Sequence, residues 1–250
     1  MKSVYLKRSI RKWHRYLGLF IGIQFLLWTL GGLYFSWTKI EQIRGDNFKL
    51  SPLSLQLDSA IISPAAALAA LPFSTARILH CELIRLPHGL VYQIVRGMPP
   101  QQQVYLVEAT SGKWRPPINR EEAIFLAREK TSAQAPVQQV SYLSTTGKHH
   151  EYRNKPLPAW AVQLGGEVNS TVYISAEWGT VQSFRNNSWR IFDFLWMLHT
   201  MDYEERDNFN NWLLRFFSLM GLLTVISGFA LFFVSRKPAD GRKAYLSSKN

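Results

Sequence analysis

Leu17–Trp37, LGLFIGIQFLLWTLGGLYFSW, holds 21 consecutive positions without an ionisable side chain. As a helix rising 1.5 Å per residue it is about 31 Å long, the thickness of a bilayer's hydrocarbon core. Near the other end Trp212–Val234, WLLRFFSLMGLLTVISGFALFFV, runs for 23 residues with one charge, Arg215, near enough to its start to snorkel to the interface. Two such runs predict two transmembrane helices. Trp28, Trp37 and Trp212 supply aromatics of the kind found at membrane interfaces, Trp28 less clearly placed than the others. The first run lacks a small-residue cleavage site before Thr38, so it reads as an uncleaved anchor rather than a signal peptide.

Charge gives the orientation. The 250-residue chain has a net charge of +12, which elsewhere would suggest nucleic acid or an anionic surface. The positive charge sits in the tails: Lys2, Lys7, Arg8, Arg11, Lys12 and Arg15 at one end, and Arg236, Lys237, Arg242, Lys243 and Lys249 against Asp240 at the other. Residues 38–211 carry 17 basic and 16 acidic side chains, which excludes a nucleic-acid platform there. Basic flanks outside both apolar runs place both termini in the cytoplasm and the middle of the chain in the periplasm of a bacterial inner membrane. Cys81 is the lone cysteine, so no intramolecular disulfide forms.

Between the membrane runs two segments look alike. The first opens with Ser63 as N-cap, Pro64 in the first turn and AAALAAL, followed by strands over Ala76–Leu86, Leu90–Arg96 and Gln103–Ala109 and a turn at Thr110-Ser111-Gly112. The second opens at Asn119 with Glu122 three residues on, a capping box, and runs to Lys130. Its strands are Val137–Leu143, Ala159–Leu164 and Thr171–Ser175, with a turn at Trp178-Gly179. A shift of 67 residues lays Gly112 on Gly179, Ala109 on Ala176 and Val107 on Ile174, the mark of a duplication. The expected fold is therefore a membrane protein of α+β class. The divisions are a basic tail (1–16), transmembrane helix (17–37), two repeat units (38–118 and 119–188), an aromatic interfacial segment (189–211), transmembrane helix (212–234) and basic tail (235–250).

The repeat strands ending in a "VY[LI]-x-x-x-x-G" turn resemble the PepSY module, which usually carries Asp before the glycine turn; here Glu108 and Ser175 stand at that place. The opening RKWHRYLGLFIGIQFLLWTLGGL is similar to the first helix of the PepSY-associated transmembrane family, which typically reads "RxxHrxxGL". Trp196-Met197-Leu198-His199-Thr200 resembles that family's "lH" motif before a membrane helix. Many relatives have four spans where this chain has two. Some four-span relatives carry haem and are linked to reduction of iron–siderophore complexes, so the resemblance implies haem b, electron transfer and iron uptake as expectations.

The candidate site residues are His14, His199, Gly18 and Gly22. At 100° per residue His14, Gly18, Gly22, Phe25, Thr29 and Gly32 fall on one stripe of the first helix. The stripe admits two uses: close approach of another helix, Gly18–Gly22 being a GxxxG pair, or a flat haem macrocycle with His14 as axial ligand to its iron. His199 follows the aromatic WRIFDFLWML and is either the polar edge of an amphipathic helix or a second ligand. The two histidines lie near opposite membrane faces, about 30 Å apart, too far to share one iron. Each needs a partner ligand, which a homodimer or a partner membrane subunit supplies. On the second run Ser218, Gly221, Val225 and Gly228 form a further stripe suited to helix contact. His80 and Glu82 share one strand face, His88 sits in a turn, and His149-His150 lie in a polar loop that reads better as solvated than as metal-binding. No CxxC, HExxH, phosphate loop or nucleophile–base set is present, so a hydrolase has no support. The alternative functions are a non-enzymatic accessory subunit docking a partner through sheet edges, and a regulator of a periplasmic peptidase.

Overall fold

The computed structural model describes residues 2–46, 60–71, 77–98, 101–131, 135–166 and 169–235. The C-terminal basic residues from Arg236 onward, and Ala76 at the start of the first expected strand, lie outside the described residues. The chain divides into two compact units. One comprises the segments up to Trp37 and from Phe194; the other is Thr38–Asp193.

In the first unit α1 spans Lys2–Trp37, 36 residues. The basic segment is thus the first turns of the same helix, so the boundary at residue 16 marks a change of composition and not of conformation. Only 17% of the apolar window of α1 is buried within the chain, and only 11% of that of the last helix, Trp212–Ser235. Helices of that length and apolarity, so little covered by protein, are not core helices of a soluble fold; their surface requires lipid.

The seam of α1 that packs inside this unit follows a spacing of three and four: His14, Leu17, Ile21, Gln24, Trp28, Gly31 and Phe35 are all buried or half-buried. This is a heptad-like stripe. It lies beside the predicted glycine stripe and shares His14 with it, while Phe25 of that stripe also packs toward the last helix. Gly18, Gly22 and Gly32 meet nothing: a Cβ added at any of them would find no atom within 4 Å. The glycines that do pack are on the last helix. A Cβ on Gly221 would come within 2.9 Å of the Phe25 ring, and one on Gly228 within 3.3 Å of His14 Cε1. Ser218 and Val225, expected in that second stripe, are exposed.

In the central unit α2 (Ile40–Arg44) closes on Gly45, whose φ of 69° is the left-handed conformation that ends a helix. The first repeat follows as α3 (Pro64–Ala69), β1 (Ile78–Leu86), β2 (Gly89–Met98), β3 (Gln101–Glu108) and β4 (Trp114–Arg115). The second is α4 (Arg120–Glu129), β5 (Val137–Leu143), β6 (Ala159–Leu164), β7 (Ser170–Ser175) and β8 (Val181–Arg185). Each repeat is one antiparallel sheet in sequential order. Helix α5 (Asn187–Thr200) and α6 (Trp212–Ser235) complete the chain.

The duplication is structural as well as sequential. Gly112 and Gly179 both take positive φ, 72° and 64°. Their N–H groups donate to Glu108 and Ser175 carbonyls at 2.9 and 3.0 Å. The Ala109 carbonyl accepts from Ile62 N, and the Ala176 carbonyl from Ile118 N, each just ahead of its repeat's helix cap. Tyr92 Oη and Trp160 Nε1 donate to those same cap-flanking residues, Ile62 and Ile118, from the second strand of each sheet. The repeats share a core: Leu86, Val91 and Leu106 of the first sheet join Leu126 of α4 and Val162, Val172 and Ile174 of the second. Gln93 adds a polar tie, donating to the Trp178 carbonyl in the second repeat's turn. The place of the usual Asp is a turn anchor in both copies. The Glu108 carboxylate accepts from Ser111 Oγ at 2.6 Å, while Ser175 Oγ accepts directly from Trp178 N at 3.3 Å.

Candidate functional site: two histidines on the membrane unit

His14 sits at the end of the α1 seam, against the last turns of α6. Its Nδ1 lies 2.7 Å from Ser227 Oγ. The Ser227 hydroxyl has one proton, and it donates that proton to the Thr224 carbonyl at 2.7 Å. With the hydroxyl so turned, its oxygen accepts from Nδ1–H, and Nε2 is the ring nitrogen left without a partner in the chain. Gly228 makes room for the ring. A serine and a glycine side by side in an apolar span, one turn beyond Thr224, thus fix the tautomer and tilt of one histidine.

His199 occupies a different setting, at the C-terminal end of α5. Its ring is walled by Trp28, Phe35 and Trp196, with centroids 5.8, 6.1 and 6.3 Å away. Its Nδ1 is buried without a hydrogen-bond partner. The backbone around it is fully tied down. Trp28 Nε1 donates to the His199 carbonyl at 3.1 Å and Gln24 Nε2 to the Leu198 carbonyl at 3.2 Å, satisfying acceptors that a helix end leaves open. Thr200 Oγ1 donates back to the Trp196 carbonyl, and Asn211, whose Oδ1 caps α6 through Leu214 N, donates from Nδ2 to the Thr200 carbonyl.

Along α1, His14 and the Trp28–Phe35 wall of His199 are 14 to 21 positions apart, about 21–32 Å. They form two separate sites. Gly18 and Gly22 touch neither histidine. Within the chain they line open surface below His14. Sequence reasoning missed Ser227, Gln24 and the Trp28/Phe35/Trp196 wall. The signals available were the lone amide in an apolar run, a rare residue there, and the heptad spacing of α1.

Two further histidines are engaged elsewhere. His80 pairs with Glu82 at 2.9 Å on the exposed face of β1. His150 Nδ1 accepts from Tyr152 N at 3.0 Å. Among the described residues no three His, Cys, Asp or Glu side chains gather as a metal cluster.

The central unit's densest polar cluster is a structural clasp. Arg190 grips both oxygens of Glu151, at 2.8 and 3.1 Å, and Tyr173 Oη donates to the same carboxylate at 2.7 Å. Burial pushes the Glu151 carboxyl up, but hydrogen bonds from Arg190 and Tyr173 and the charges of Arg190 and Arg185 outweigh it and hold the group below its ordinary range. Burial, reinforced by Glu151, pushes the Tyr173 phenol up, and burial pushes Arg185 down to about 10. Arg185 stacks its guanidinium 3.9 Å over the Trp189 ring. Every member is satisfied within the fold, and the cluster pins the 144–158 loop to the second sheet.

Comparison with curated proteins and with solved structures gives no match. A family model does match, and it spans the helix that carries His14, both repeats, His199 and α6. By that match over residues 3–236 the chain belongs to the family described as the PepSY-associated TM region.

Proposed function

We propose that the protein is a haem b-binding electron carrier of a bacterial inner membrane, acting as a homodimer in iron uptake. The observation that carries this reading is the hydrogen bond from His14 Nδ1 to Ser227, whose own proton is committed to Thr224. A histidine ligand is ordinarily oriented in this way, its second nitrogen fixed by an acceptor while the first keeps its lone pair for the metal. When bound, a b-type haem supplies one-electron iron chemistry.

His14 would hold the haem iron through one ring nitrogen, and a second copy of the chain would supply a matching histidine. Gly18 and Gly22 are open on the same helix, so a macrocycle or a neighbouring helix can lie flat below His14. His199 is the second ligand position, near the opposite face. Its aromatic walls suit a macrocycle edge, but its Nδ1 lacks an acceptor, so it binds more weakly. The reductase role in iron–siderophore uptake follows only from the resemblance.

The test is a reduced-minus-oxidised spectrum and a pyridine haemochromogen assay on protein purified from haem-replete cells. A Soret band with stoichiometric haem supports the reading. A colourless preparation contradicts it and leaves the accessory-subunit reading in front. The orientation, both termini cytoplasmic and the repeats periplasmic, is checked separately with fusions. Alkaline phosphatase joined after Gly112 is expected to be active, and joined after Ser247 inactive; the opposite pattern overturns it.

A further inference from the structure

α1 and α6 contain no Asp or Glu, yet the N-terminal half of α1 carries Lys2, Lys7, Arg8, Arg11, Lys12 and Arg15. The counter-charge for these cations has to come from outside the helix pair. Arg15 lies over the Tyr16 ring at 5.6 Å. Arg8, Arg11 and Lys12 are exposed and have no ion-pair partner among the described residues. The antiparallel contacts of His14 with Ser227 and of Phe25 with Gly221 set these charges level with the last turns of α6. There Phe229, Phe232 and Phe233 are 62, 56 and 65% exposed. One depth in the bilayer thus carries cations on one helix and bare aromatic rings on the other. Hydrocarbon suits the rings and penalises the guanidinium, while the headgroup layer does the reverse. An amphiphile with an anionic head meets both demands.

The rings flank a groove of about 450 Å³ lined by Val225, Gly228, Phe229, Phe232 and Phe233, a volume within the range of ligand clefts. No lining residue has a polar side chain. Arg11 borders the same flank of the helix pair. Gly228 faces the His14 ring. Arg11 and Gly18 stand three before and four after His14, and Val225 and Phe232 stand three before and four after Gly228. Equal offsets from two facing residues of antiparallel helices fall on one side of the pair. Lys12, about 160° round α1 from His14, falls on the back.

We propose that this groove binds an anionic phospholipid, with an acyl chain against Phe229 and Phe232 and the phosphate on Arg11. The proposal does not rest on the haem reading. A cluster of cations beside a membrane span attracts anionic headgroups in a general way. The groove adds a fixed place for the chain, and Arg11 is an unpartnered cation standing beside it. A guanidinium grips a phosphate through two parallel hydrogen bonds, which a zwitterionic headgroup weakens with its own cation. A free phosphate lacks the apolar half of this recognition, and an uncharged detergent lacks the anionic half.

The test titrates the delipidated full-length protein in an uncharged detergent with dioleoyl phosphatidylglycerol or dioleoyl phosphatidylcholine, and counts bound lipid by native mass spectrometry. Phosphatidylglycerol is expected to bind about tenfold more tightly than phosphatidylcholine, as a charge-assisted hydrogen bond implies. Arg11→Gln is expected to erase that preference and Arg11→Lys to restore part of it. Lys12→Gln removes the same charge one residue along, on the back of α1, and leaves the preference unchanged. Phe229→Ala with Phe232→Ala weakens both lipids together, because each loses its place for the chain. Equal binding of the two lipids, or no bound lipid, overturns the proposal. Equal loss in Arg11→Gln and Lys12→Gln also overturns it, since the preference then belongs to the summed charge and not to a site. Competition by glycerol phosphate as strong as by the lipid does the same, because the groove then contributes nothing.

Discussion

His14 and His199 both belong to the unit that holds the two apolar helices, yet their surroundings do opposite things. At His14 the side chain is oriented and the backbone is ordinary helix: Ser227 fixes Nδ1 and Gly228 clears space for the ring. At His199 the backbone is oriented and the side chain is merely walled. Its carbonyl and that of Leu198 are bonded by Trp28 and Gln24, while Nδ1 has no partner. On the proposed reading the first arrangement prepares a nitrogen for a metal, whereas the second ends a helix. A motif match treats the two histidines alike, and the hydrogen bonds separate them.

That contrast can be broken at the level of assembly, where the largest effect is expected. Gly18→Leu combined with Gly22→Leu fills the surface below His14, and both new Cβ atoms start from open space. The single chain is expected to insert and fold as before. Self-association in detergent or in a membrane two-hybrid assay is expected to be abolished, and the haem on His14 lost with it. Unchanged association would mean that the glycines serve something other than a second copy.

A sharper cut removes only the acceptor. Ser227→Ala leaves His14 in place but frees Nδ1, and loss of such a supporting bond typically costs 10–100-fold in metal affinity. Haem retention during titration with a competing apoprotein is expected to fall by about that factor. The same variant leaves the His199 environment untouched, so any haem held there stays. Equal loss from both sites would remove the distinction between them.

The smallest effect lies in the central unit. The Glu151 clasp titrates as a group whose native pKa is lowered. Its contribution is complete above the ordinary carboxylate value of 4.5 and is lost as the pH falls through the lowered native value. Thermal unfolding of the wild type is therefore expected to lose stability in that acid window, and Glu151→Gln to show a flatter pH profile there with the spectrum of any bound haem unchanged. An identical profile in wild type and variant would refute the role assigned to the clasp.

Much of this was legible in the residues. The capping box at Asn119 and Glu122 forms as local chemistry dictates, with Glu122 N to Asn119 Oδ1 and Asn119 N to Glu122 Oε2 both at 3.0 Å. The paired turn glycines announced the repeat because only left-handed backbone places them there. Two strands were not legible. β4 is two residues long, and β8, VQSFR, is short and half polar, so neither carries a period. The face of α1 that packs within the chain lies about one position away from the glycine stripe. A helical wheel groups residues by angle and favours the stripe with the most glycines, whereas the actual seam is set by which large side chains α5 and α6 offer to receive. Gly221 and Gly228 were recognisable as contact glycines, but that their partners are Phe25 and His14 depends on the register between two helices 200 residues apart in sequence. No local pattern encodes that register.

The central claim, that His14 is a prepared ligand and His199 a weaker one, is tested most directly by haem content. The measurement is a pyridine haemochromogen assay with reduced-minus-oxidised spectra on wild type, His14→Ala and His199→Ala, each from haem-replete cells and each confirmed to be inserted in the membrane. The account predicts that wild type carries haem, that His14→Ala loses the tightly held fraction, and that His199→Ala loses at most the weaker remainder. Haem that survives His14→Ala in full, or a wild type without a Soret band, would contradict it.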